Sequence, residues 1–169
     1  PVGIADADIL IAMCQRKTDV GTLSLPPGFT TIDSTTYDLE TGVRQAIIGW
    51  KLASGESGTY DFTTDDTVRQ NGSVGSVSVY RGVNSPPLDV VFNTAQRVED
   101  NTDIPDAASI TTITDNAWVL VCWLMDNNSH DITTDIPGYT LDMVGDSVDS
   151  TAGRYASIHH KEVVTAGLE

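Results

Sequence analysis

Apolar positions along this chain recur with period two and almost nowhere with the 3.6-residue period of a helix, so it predicts short strands. Asp8 to Gln15, DILIAMCQ, is apolar on both faces, as a central strand should be. Gly21, Pro26, Pro27 and Gly28 then break the pattern into a loop, and Thr30 to Asp38, rich in Thr with Ile32 and Tyr37, reads as an edge strand. Gly42 to Thr63 reads as a hairpin. In its first arm Ala46, Ile48, Trp50 and Leu52 form the core face, and Ile47, Gly49, Lys51 and Ala53 the other. The turn is Ser54 to Gly58, and Tyr60 and Phe62 alternate with Thr59, Asp61 and Thr63 on the return arm.

Past the Asn71-Gly72 turn signal, Val77, Val79 and Arg81 alternate with Ser76, Ser78 and Tyr80. Asn84-Ser85-Pro86-Pro87 ends that run, Val90 to Thr94 is short and apolar, and the polar stretch after it reads as a surface loop. Ser109 to Thr114, the turn Asp115-Asn116 and Ala117 to Asp126 form a second predicted hairpin. Roughly ten short strands between turn signals predict an all-β chain, an antiparallel β-sandwich of jelly-roll or Ig-like arrangement, in a single domain over 1–169.

Three blocks repeat at a common offset of about 110 residues. Pro27-Gly28-Phe29-Thr30 falls on Pro137-Gly138-Tyr139-Thr140, Ile9-Leu10-Ile11 on Val119-Leu120-Val121, and Ala46, Ile48 and Lys51 on Ala156, Ile158 and Lys161. This predicts an internal duplication with repeat-like halves about 1–63 and 111–169, joined by 64–110. Two hairpins under similar turn constraints would look alike as well. The first half runs on into Gly58-Thr59-Tyr60-Asp61-Phe62 where the second reaches Ala166-Gly167-Leu168-Glu169, so a closing strand is expected to be supplied by a neighbour, disordered or absent from this sequence.

With 9 basic against 24 acidic residues the formal charge is −15, a field that repels phosphate backbones and anionic lipids and excludes nucleic acid as the expected partner. The longest apolar run, Ala117 to Met125, is far too short for a membrane span, so no membrane insertion is expected. The opening PVGIADAD shows no secretory signal, as a trimmed chain would not. Cys14 and Cys122 both lie in apolar strands, which suits two buried thiols; the repeat register gives them one face parity, which leaves a bond between them open.

Candidate chemistry is sparse. His159 and His160 are strand neighbours that must face opposite ways, His130 lies in a loop, and no nucleophile elbow accompanies them, so no catalytic residue and no enzyme is expected. Paired carboxylates arise by chance among 24 acids and identify no glycosidase. Asp126, Asn128 and Asp131 offer calcium hard oxygen ligands at loop spacing, though without the Gly and Glu of an EF-hand; Asp65-Asp66 beside Asn71 is a second candidate. No other cofactor is expected. Trp50 and Trp118 stand among apolar neighbours and read as core, whereas Tyr37, Tyr139 and Tyr155 are the candidate ligand-facing aromatics. Asn71-Gly72-Ser73 and Asn127-Asn128-Ser129 fit the N-glycosylation triplet.

Taken together, ADADILIAM, LPPGFT, AIIGWKLASGESGTYDFT and VSVYRGV with its Pro-containing loop resemble a β-sandwich module of bacteriophage tail and head-surface (fibre or decoration) proteins. The resemblance covers most of the chain. It implies core and turn roles for Trp50 and for Tyr80-Arg81-Gly82-Val83, with no catalytic set. The expected function is that of a non-enzymatic virion surface or structural protein, a head decoration, head fibre or tail component that contributes to particle assembly or stability. The alternative is a receptor- or carbohydrate-binding module of a tail fibre or surface adhesin. Expected partners are other virion proteins or copies of itself in a homo-oligomer, and on the alternative reading a cell-surface glycan; the expected location is the virion surface or another extracellular setting.

Overall fold

Both faces of Ile9–Lys17 (β1) are apolar, and the strand accordingly takes a central place, buried from Ile9 through Arg16. The computed structural model describes residues 3–17, 21–39, 42–65, 73–84, 86–90, 108–126, 136–147 and 154–167. Within them, β1 is followed by β2 (Leu23–Ser24), β3 (Thr30–Leu39), β4 (Gly42–Leu52), β5 (Thr63–Thr64), β6 (Ser73–Tyr80), β7 (Ala117–Asp126), β8 (Thr140–Ser147) and β9 (Arg154–Val163), with no helix among the described residues. The protein is all-β. One sheet has the order β3-β4-β1-β6, a second β7-β9-β8, and β2 with β5 makes a short ribbon. All pairings are antiparallel.

The two larger sheets share one core. Ile9, Ile11 and Met13 of β1, Ile48 of β4 and Val74 and Tyr80 of β6 meet Ala156 and Ile158 of β9, with Leu120, Cys122, Leu124 and Met143 packed against them. On its other face the first sheet is covered by a smaller cluster in which Leu25 and Phe62 pack on Cys14, Leu23 and Ile47. Gly49 marks how closely that cover sits, since a Cβ there would stand 2.3 Å from the Leu25 side chain and 2.7 Å from the Thr30 carbonyl. Only glycine fits.

The β3–β4 and β8–β9 hairpins have matching registers. Thr30 faces Trp50 and Thr31 faces Gly49 before the pairing slips past Ile32; Thr140 faces His160 and Leu141 faces His159 before it slips past Asp142. The two bulges stand at corresponding residues. Each hairpin is entered by the same tight turn, with Phe29 N–H donating to Pro26 C=O and Tyr139 N–H to Ile136 C=O, and with Gly28 and Gly138 at φ 85° and 83°. Lys51 then stands 6.0 Å from the centre of the Phe29 ring and Lys161 5.8 Å from that of Tyr139. β1 and β7 correspond with a slip of one residue. Leu52 pairs with Ile9, whereas its counterpart Glu162 pairs with Trp118. Trp118, and not Val119, is therefore the counterpart of Ile9.

That slip overturns the shared parity of the cysteines. Cys14 belongs to the cover of the first sheet, Cys122 packs against the core between the sheets, and both thiols are free. Two expected hairpins are also replaced. β4 already has β1 on one edge and β3 on the other, so residues 59–62 find no ladder to join. They cross the sheet face instead, which is how Phe62 reaches Cys14 and Ile47. Residues 109–114 likewise do not pair with β7; Thr112 N–H donates to Gly167 C=O at 2.9 Å, so this segment runs beside the stretch that follows β9. In β6 the face of Ser76, Ser78 and Tyr80 is the inner one: Tyr80 is buried, while Val79 is 41% exposed.

Candidate functional site

The bulge in β8 aims a carboxylate into the contact between the sheets. Asp142 is the residue the pairing skips, and a bulged residue is re-aimed relative to its neighbours. Its Oδ2 accepts the Tyr80 hydroxyl at 2.8 Å and its Oδ1 lies 2.5 Å from His160 Nδ1. The imidazole in turn stacks on Trp118 at 4.5 Å and 10° between planes, and Tyr80 meets the indole edge-on at 5.9 Å. Four strands contribute one side chain each: Tyr80 from β6, Trp118 from β7, Asp142 from β8 and His160 from β9. Burial and the hydrogen bond to Asp142 raise the Tyr80 hydroxyl far above its usual pKa, so it remains a donor.

Chemically this cluster is a brace with one open surface. Asp142 holds the imidazole by Nδ1, the orientation used where a histidine acts as a base, but among the described residues no hydroxyl or thiol nucleophile is bonded to His160. Trp118 is 45% exposed, which corrects the expectation that it is a core residue; Trp50 does pack against the core. The signal for the cluster lies in the repeat. Asp142, His160 and Trp118 stand where the first hairpin and β1 carry Ile32, Trp50 and Ile9, all of which belong to or pack on the core.

Two further polar groups pin turns. Asp8, buried at the entrance to β1, accepts Nε and Nη2 of Arg81 at 2.9 and 2.8 Å and the Ala5 N–H at 2.9 Å. The Arg81 bonds, with help from Ala5, lower its carboxyl to about 2. Glu56 takes Lys51 at 2.7 Å, the Tyr60 hydroxyl at 2.7 Å and the Ser54 N–H at 3.1 Å, and it too is lowered to about 2, chiefly by Lys51. Tyr60 stands edge-on to Phe29, so this set ties the Pro-Gly turn to the turn after β4.

Of the residues singled out by sequence, Tyr139 lies in the turn before β8, partly buried, with Lys161 against its ring. Tyr37 and Tyr155 occupy β3 and β9, and Asp126 ends β7; the side chains of all three fall outside the described residues, as do Asn128, Asp131 and His130 altogether. Asp65 accepts the Thr22 N–H at 2.5 Å and so tethers the loop before β2, while Asp66 and Asn71 are outside the described residues. Among the described residues no group of three or more His, Cys, Asp or Glu could hold a metal ion. His159 and His160 do face opposite ways, His159 lying against Trp123 and Ser157 and His160 against Trp118 and Asp142.

No protein-family model, curated protein or solved structure matches the chain.

Proposed function

We propose that the chain is a non-enzymatic β-sandwich building block of a virion surface, a head decoration, head fibre or tail component, made of two copies of one three-stranded unit and assembling with neighbouring virion proteins or copies of itself. The observation that carries this reading is how the polar side chains are used. Asp8, Glu56 and Asp142 each hold a turn or tie the sheets together, and Asp89 accepts the N–H groups of Ile113 and Thr114. A protein whose charged groups fix its own shape, and whose net charge of −15 keeps it dispersed, suits a surface role. The matched bulges, turns and cation–ring contacts support the duplication.

Light scattering on the purified chain, in rising salt and with calcium or chelator, tests the assembly. A trimer or larger species that strengthens as salt screens the negative charge is expected. An unchanging mass of 18.1 kDa at every concentration would oppose self-assembly. The half-exposed Trp118, held rigid by His160 and Tyr80, favours a second reading as a glycan-binding module, since an indole face stacks on sugar rings. A glycan array that gives signal with the native chain and loses it with Trp118→Ala would select that reading.

A further inference from the structure

We infer that the free edge of β7 is a strand-acceptor site, which takes one antiparallel segment of β6-like chemistry from a neighbouring polypeptide. The inference rests on the reading of two copies of one unit. β3, β4 and β1 of the first sheet correspond to β8, β9 and β7 of the second, and the first sheet has one strand more, β6, lying along the edge of β1. Among the described residues no strand lies along the corresponding edge of β7.

The exposure of the corresponding strands β1 and β7 agrees with this. Ile9 of β1, flanked by β4 and β6, is 1% exposed, while its counterpart Trp118, paired among the described residues with β9 alone, is 45% exposed. Every described side chain of β1 up to Arg16 is buried, but in β7, whose sequence AWVLVCWLM is just as apolar, Leu120 to Leu124 are only partly so. β7 is a long apolar strand with no charge before Asp126, so its own sequence carries no charged residue of the kind by which proteins protect an edge. Main-chain pairing supplies the affinity at such an edge and the alternating side chains supply selectivity.

The β6 strand defines what fits. It packs across the core on β8 and β9, so the incoming strand would lie across from β3 and β4. Within β6 the inward residues are Val74, Ser76, Ser78 and Tyr80, and the Tyr80 hydroxyl is satisfied by Asp142. At the acceptor site Ile32 holds the position of Asp142. An incoming tyrosine would there leave its hydroxyl unpaired, so the site selects a phenylalanine or an aliphatic residue at that place.

A synthetic peptide spanning Ser73 to Val83 is the probe, titrated into the isotope-labelled full chain and followed by amide resonances. Binding confined to β7 is expected, and the peptide with Tyr80→Phe should bind at least as tightly. Methylating alternate backbone nitrogens distinguishes strand addition from loose apolar contact. One of the two alternating patterns should weaken binding roughly tenfold or more by removing the pairing N–H groups, and the other should leave it nearly unchanged. No shift at β7, or equal tolerance of both patterns, overturns the inference. So does a dimer in which β7 pairs with β7 of a second copy, because the edge is then taken otherwise. A larger assembly whose mass is indifferent to the peptide would leave the surface-assembly reading standing while removing this site.

Discussion

Gly49 carries the most exacting constraint on any one residue. An alanine there would drive its methyl into Leu25 and the Thr30 carbonyl, so Gly49→Ala should lower stability by roughly 1–3 kcal/mol, the cost of overpacking a filled core, read in urea unfolding. The cysteines make the second expectation at this scale. Burial pushes both thiols up to about 12, in Cys14 against the opposing charge of Arg16. Neither should react with a thiol reagent at pH 8 in the folded protein, and both should react once it is unfolded; prompt labelling of the native chain would contradict their placement. That both are free thiols among apolar side chains was legible, although Cys14 is buried and Cys122 only partly so. Their opposite faces were not, because a one-residue slip between β1 and β7 inverts parity while leaving the apolar run looking the same.

At the scale of elements, β1, the edge position of β3 and the Pro-Gly turns follow from alternation and turn chemistry. The arm from Thr59 to Phe62 did not, since alternation marks a residue pattern and cannot tell whether a ladder position is vacant. The brace at Asp142 was hidden for a related reason: a bulge moves a polar residue of an edge strand inward, and only the comparison of Ile32 with Asp142 exposes it. Tyr80→Phe and Asp142→Asn should therefore be coupled. A double-mutant cycle is expected to give about 0.5–3 kcal/mol, and additivity would show that the hydrogen bond contributes nothing across the sheets. The pinned turns predict an acid response. Asp8 and Glu56 fall from 3.8 and 4.5 to about 2 on folding, so their stabilisation is complete above those unfolded values and is lost as pH falls through about 2. The melting temperature should drop across that window, and Asp8→Asn or Glu56→Gln should make the drop shallower.

For the molecule as a whole, an all-β antiparallel architecture was legible because period-two patterning and turn residues agree along the chain. The charge of −15 was legible too, and it bears on dispersion and partners more than on fold. What no local pattern could reveal is the inequality of the two sheets, which among the described residues have four strands and three, since it depends on which strand lies beside which. The most direct test of this account is amide hydrogen exchange measured residue by residue on the purified chain at low concentration. β1, flanked on both sides, should be protected throughout, whereas in β7 the amides that do not donate to β9 should exchange rapidly, giving an alternating pattern. Uniform protection along β7 in a monomer would contradict the account, because its second edge would then already be filled.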